Sequence, residues 1–206
     1  RAVVKSLFSS DGLMQGGTVR TDYFYTGLTS HVTGAGSLGF ESIKVSKEIR
    51  SGVLEENTTY YSTNHKNHTQ GMPVKTVSTL GGVTISESEN FYSTIFYGAN
   101  DSIACGIYTI FNGERGGATD FLRYMPYTKT NISKRFDPVT GELLTATSKQ
   151  TVMGEYGDLI SSKDIVADTD LSANYLGNVS EPTSGSYLIT SATNKYDYND
   201  PSRWFL

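Results

Sequence analysis

Along most of the chain, bulky or apolar residues alternate with polar ones at a period of two. This is the pattern of a strand with one covered face and one wet face. In "TVRTDYFY", Val19, Thr21, Tyr23 and Tyr25 fall on one face, and Arg20 and Asp22 on the other. In "SIKVSKEI", Ile43, Val45 and Ile49 oppose Ser42, Lys44, Ser46 and Glu48. "IACGIYTIF" is apolar on both faces, as in a central strand, and "GSYLITSATNKY" carries hydroxyls on both. Thr, Tyr, Val and Ile dominate these runs, and their branched or ringed side chains suit a pleated surface.

Turn signals separate the runs at Ser51-Gly52, Gly81-Gly82, Asn112-Gly113 and "DPVTG", Asp137 to Gly141. Two short stretches carry helix signals: "ADTDLSANYLGN", with a cap at Asp170 and a stop at Gly177, and "DPSRWF". "FDPVTGELLT" and "EYGDLISS" each place an aromatic and an acid ahead of a Leu-containing strand, and "YDYND" at Tyr196 echoes them. No linker, low-complexity block or long charge run interrupts the chain. The prediction is all-β: antiparallel hairpins in series, forming a curved open sheet, with residues 1–206 as a single β-rich unit.

The 206 residues suffice for a sizeable core, yet only 37% are hydrophobic, 18% are charged, and Ser and Thr make up nearly a quarter. A net charge of -4 with 17 Lys and Arg gives no electrostatic footprint for a phosphate backbone, so nucleic acid is not expected as a partner. No apolar run reaches the length of a membrane-spanning helix. The one cysteine, Cys105, sits in apolar surroundings as a small buried hydrophobe would. A start at Arg1 and an end at "SRWFL" suggest a piece of a larger polypeptide.

"GAGSLGF" fits the spacing G-x-G-x-x-G, but a dinucleotide site needs a buried strand before it and a helix after it. The following "FESIKVSKEI" has period two, so a nucleotide is excluded. Gly34, Gly36 and Gly39 are instead expected at a bulge or sheet corner, where a Cβ would clash or the chain must bend.

With those glycines the chain comes to resemble a family. The order "YFYTGL…GAGSLGFESIKV…SGV…YYST…QGMPVKT…GG…ISESEN" resembles the middle region of the insecticidal toxin-complex B component and related Rhs/YD-repeat proteins. The motif positions are Gly34, Gly36, Leu38, Gly39 and Phe40, followed by the step Gly71, Met72 and Pro73. Ala35 stands where the family pattern has arginine, so no ion pair of that arginine carries over. The likeness spans about residues 18 to 95, with residues 96–206 expected to form further hairpins leading toward YD repeats.

The resemblance implies part of an Rhs-type β-shell that encloses a toxic C-terminal polypeptide. It also implies a secreted or cell-surface bacterial setting. The partners would be the remainder of the parent polypeptide, its enclosed toxin domain and other toxin-complex components. No catalysis and no cofactor are expected of the shell itself.

The residues leave two other classes open. Abundant Tyr and Phe suit a surface module that binds carbohydrate or a receptor. A hydrolase would need paired acids, and Glu114, Asp120, Glu142 and Glu155 cannot be paired from sequence. Glu114 and Asp120 also flank the glycines of "GERGGATDF", a tight hairpin or bulge that two acids make a weaker candidate cation site. His65 and His68 point to opposite faces of an extended strand, with no Cys or acid at ligand spacing, so no metal is expected. His31 completes the histidines, and no G-x-S-x-G elbow accompanies them. Sequons begin at Asn57, Asn67, Asn100, Asn131 and Asn178, as expected by chance in so hydroxyl-rich a chain. Gly36→Val should disrupt folding, and unchanged solubility and melting temperature would count against a structural glycine corner.

Overall fold

The computed structural model describes residues 3–10, 18–31, 36–50, 52–63, 68–97, 123–154 and 157–196. Ten strands make one sheet: β1 (Ser6–Ser10), β2 (Thr18–His31), β3 (Gly36–Arg50), β4 (Val53–Tyr61), β5 (Pro73–Leu80), β6 (Val83–Tyr97), β7 (Arg123–Phe136), β8 (Leu143–Met153), β9 (Leu159–Ala167) and β10 (Tyr187–Thr193). Each pairs antiparallel with its sequence neighbour, in the spatial order β1 to β10, and the sheet does not close on itself. The all-β prediction of serial hairpins in an open sheet is the observed architecture.

The turn signals explain the hairpins. Gly81 and Gly82 both take positive φ (58° and 86°), as the two central residues of a primed turn must, and join β5 to β6. Between β7 and β8 the Asp137 carboxylate accepts from the backbone N–H groups of Val139 (2.7 Å) and Thr140 (2.8 Å). In the two similar stretches the acids Glu142 and Asp158 stand directly before β8 and β9, which begin at Leu143 and Leu159.

Register assigns side chains to faces. One row crosses the back face as Tyr25, Ile43, Thr59, Thr76, Ser88, Ser133, Thr147, Val166 and Leu188. The adjacent front-face row runs Lys75, Glu89, Ile132, Ser148, Ile165 and Ile189. Among the described residues the front face over the C-terminal strands is the part that is sealed. There Ile132, Ala146, Ile165 and Ala167 of the sheet are buried against Leu171 and Val179, which belong to the segment joining β9 to β10.

That segment, residues 168–186, is a strap laid across the sheet. Its ends meet, the Asp168 N–H donating to the Ser186 carbonyl (3.1 Å) and the Ser186 N–H to the Asp168 carboxylate (2.9 Å). Its middle is a small hairpin with a bridge between Ala173 and Val179. Buried Thr130 of β7 donates its hydroxyl to the Gly177 carbonyl, and the Lys129 ammonium donates to the Leu176 carbonyl (2.8 Å). Lys129 reaches the strap because a register shift between Phe91 and Tyr92 leaves it as an extra residue on β7. Lys134–Asp170 and Lys163–Glu181 ion pairs hold the flanks.

The helix expected over "ADTDLSANYLGN" does not form. Asn174 turns the chain instead, its side-chain oxygen accepting from the N–H groups of Leu176 and Asn178, both at 3.0 Å. Asn side chains compete with helix by offering the backbone such local partners. Leu171 and Val179 then reach the sheet as two separate anchors, eight positions apart, where a helix would have lined up one face. The expected central strand "IACGIYTIF", the Asn112-Gly113 turn and the helix signal in "DPSRWF" lie outside the described residues.

Gly177 is the tightest point of the strap. Its φ is +74°, and a Cβ there would stand 2.7 Å from the Phe91 Cβ. Gly177→Ala should therefore destabilise the fold by about 2 kcal/mol in a urea titration, combining backbone strain with overpacking. A loss below about 0.5 kcal/mol would show that the strap is not seated as described.

Candidate functional site

The two faces of the sheet differ in chemistry because alternate residues of the same strands supply them. On the back face, short hydroxyl and amide side chains bond across strands in the middle of the sheet. Asn131 donates to Asn90 (2.8 Å) and to Ser88 (3.0 Å), Asn57 donates to Ser78 (3.0 Å), and the Thr76 and Thr59 hydroxyls meet at 3.4 Å. Toward β2 and β3 a shallow depression of about 210 Å³ is lined by Thr21, Val45, Lys47, Glu55, Asn57 and Ser78, with Glu56 at its edge.

Among the described residues nothing covers the front face over β1 to β5, which carries paired charges beside aromatic rings. Lys44 pairs with Glu56 (2.9 Å) and lies 5.0 Å from the Phe24 ring centroid; Arg20 pairs with Asp22 (2.9 Å) and lies 6.0 Å from that of Phe8. The Ser6 hydroxyl donates to Asp22 (2.6 Å), tying edge strand β1 to β2. That hydrogen bond, with Arg20 beside it, holds the Asp22 carboxyl below the usual aspartate value. The N–H groups of Thr140 and Val139 lower Asp137 in the same way.

The motif glycines occupy strand and turn positions. Gly34 lies outside the described residues, and Gly36 and Leu38 fall at the start of β3. Register shifts between Thr29 and Ser30, opposite Gly39 and Ser37, and Gly39 has φ +93°. Phe40 packs on Tyr25, ring centroids 4.9 Å apart. Tyr25 pairs with Ile43, three residues from Phe40, so regular alternation would put the two rings on opposite faces. Gly27 (φ +65°) on β2 and Gly39 (φ +93°) beside Phe40 on β3 both interrupt that alternation where the rings meet. Sequence reasoning passed over Gly27, although its place in "YTGL" within a strand pattern is a signal for a kink.

Gly71 (φ +77°) and Met72 turn the chain into β5, their N–H groups donating to the carbonyls of Ser62 (2.8 Å) and Thr69 (3.0 Å). Pro73 opens β5, where a missing N–H is tolerated, and its carbonyl accepts from the Tyr92 hydroxyl (2.6 Å) and the Asn90 amide (2.9 Å). Burial raises the Tyr92 pKa.

The remaining candidates are not brought together. Cys105, Glu114 and Asp120 lie outside the described residues, as do His65 and Glu155; Glu142 is exposed in the β7–β8 turn. His68 takes positive φ (54°) just before the Gly71 turn. Among the described residues no group of three His, Cys, Asp or Glu is placed to hold a metal ion. No described helix is long and apolar enough to cross a membrane.

Most of this chain superposes on part of a much larger solved chain. The crystal structure of TcdB2-TccC3 superposes with a TM-score of 0.59 and 8% identity, over 80% of this chain and 10% of that one. The fold is Rhs/Tc-like. Without its hypervariable C-terminal region, TcdB2-TccC3 gives a TM-score of 0.54 at 7% identity, over 73% of this chain and 9% of that one. The Photorhabdus luminescens Tc holotoxin pore gives 0.54 at 8% identity, over 72% and 9%. The chain thus spans about a tenth of the solved chains it matches. No family model and no curated protein matches the sequence.

The two lowered carboxyls set a pH dependence. A group whose folded pKa lies below its unfolded value stabilises the fold above the unfolded value and ceases to do so as pH falls through the folded one. Asp137→Asn should melt lower than the parent chain at pH 7, with the gap closing as pH falls below the ordinary aspartate range. A gap that is the same at pH 7 and pH 3 would contradict the role given to the Asp137 charge.

Proposed function

We propose that this chain is a wall panel: a structural segment of an Rhs/Tc-like shell that helps enclose a toxic polypeptide. The observation that carries the reading is the outer edge of β10. Strand Tyr187–Thr193, "YLITSAT", contains no charge and no proline, and among the described residues nothing pairs with its outer side. Proteins that end a sheet in water blunt the edge with Lys, Pro or a bulge. An edge left smooth is suited to continuation by a further strand.

The same reading accounts for the composition. A panel whose edges continue into neighbouring strands draws its stability from ladder hydrogen bonds along long strands, of up to 15 residues here, and needs few buried apolar side chains. Its partners are then the flanking chain of the parent polypeptide, other toxin-complex components and the enclosed toxin domain, in a secreted bacterial assembly. Residues 1–206 act as one β-rich unit in this role, without catalysis of their own.

Amide hydrogen exchange tests this. Within its parent polypeptide, the β10 N–H groups that point away from β9 should exchange at least about 100-fold more slowly than in the 206-residue chain alone. Equal exchange in the two settings would overturn the wall reading.

A further inference from the structure

The strap is seated on a polar spot as well as on an apolar one. Ser148 and Gln150 of β8 are successive residues of the front face, so they stand about 7 Å apart along the strand. The Ser148 hydroxyl and the Gln150 side-chain nitrogen are both closed to solvent, and among the described residues neither has a hydrogen-bond partner. Ser148 is 2% exposed and lies in register between Ile132 and Ile165. A buried polar group costs more when left unpaired than a made hydrogen bond gains, so two such groups side by side point to a shared ligand.

The orientation of the Gln150 amide is fixed by its neighbour. Its oxygen accepts from the Val179 N–H of the strap (3.3 Å), and a flipped amide would set donor against donor. The nitrogen is therefore a donor beneath the strap. Thr130 is the register partner of Gln150 on β7 and gives its proton to the Gly177 carbonyl, while Lys163, the partner on β9, pairs with Glu181. The Thr130 oxygen can still accept. Directly opposed residues of neighbouring strands have Cβ atoms about 5 Å apart, so three polar groups of one face border the same spot. Gln150 brings a donor, Thr130 an acceptor, and Ser148 a hydroxyl that serves as either.

We propose that one internal water is bound at this spot, accepting from the Gln150 nitrogen and donating to the hydroxyl oxygens of Thr130 and Ser148. The donor and acceptor set selects water. A cation would face the Gln150 N–H, and an anion has no proton to give Thr130, whereas water accepts and donates at once. Two ordinary hydrogen bonds let one water join atoms roughly 5 to 6 Å apart, which is the reach needed between Gln150 and Ser148. Three protein partners is also the usual number for a buried water. This water ties β7 to β8 and, through the Gln150 amide, to the strap. It concerns the strap's seat alone and does not rest on the wall reading.

A crystal structure of the 206-residue chain at a resolution that shows ordered waters tests the inference. One solvent peak should lie within about 3.2 Å of the Gln150 nitrogen and of the Ser148 and Thr130 hydroxyls. In solution the same water should give the Gln150 side-chain N–H protons a nuclear Overhauser effect of the sign that marks a long-resident water. Ser148→Ala should lower the melting temperature by about 2 °C or more, because the water loses one of its three partners. Were the hydroxyl simply unpaired, its removal would raise the melting temperature. A spot without density, an ion in it, or a direct bond from the Gln150 nitrogen to a protein acceptor overturns the inference. So does the absence of that Overhauser effect, or a Ser148→Ala chain that melts at or above the parent.

Discussion

The packing of the strap on the front face is the contact on which the described fold depends. Every buried apolar side chain among the described residues lies either on the sheet beneath the strap or on the strap itself. The sheet supplies Ile132, Ala146, Ile165 and Ala167, and the strap supplies Leu171 and Val179. Apolar burial scales with area removed from water, so the C-terminal strands carry most of the hydrophobic stabilisation. Strands β1 to β5 contribute ladder hydrogen bonds, paired charges and cross-strand hydroxyl contacts, each of modest net worth. Stability therefore grades from the strap toward β1.

A bulge in the sheet and a glycine in the strap make this packing possible. The bulge opposite Phe91 and Tyr92 directs Lys129 toward the Leu176 carbonyl, and Gly177 lets the strap backbone approach Phe91 more closely than any residue with a Cβ. Thr130 then satisfies the Gly177 carbonyl in a site closed to bulk water. A buried carbonyl without a partner would be costly, so the hydroxyl at 130 and the glycine at 177 work as a pair.

The hairpins were legible in sequence because the signals that make them are local. Alternation assigned Val19, Thr21, Tyr23 and Tyr25 to one face, and Gly81-Gly82 and "DPVTG" marked turns whose backbone needs are met by those residues themselves. The strap was not legible. Asp170 and Gly177 have the spacing of a helix cap and stop, but their structural partners, Lys134, Thr130 and Phe91, lie on other strands. The Tyr25–Phe40 contact was hidden for a related reason: strict alternation separates those rings, and they meet where Gly27 and Gly39, both of positive φ, interrupt it. The β10 edge was partly legible, since "GSYLITSATNKY" read as a strand with hydroxyls on both faces, whereas its place at the sheet edge follows only from topology.

The fold and the proposed role meet at that edge. Ten antiparallel strands in sequence order, with likeness to about a tenth of TcdB2-TccC3, describe a stretch of sheet that gains from neighbours. The most direct measurement is a cryo-EM structure of the parent polypeptide. The account predicts that β10 is paired along its outer edge with a further strand, and that the strap keeps its place on Phe91 within a continuous wall. A β10 edge facing solvent, with residues 1–206 standing apart from any enclosing sheet, would contradict it.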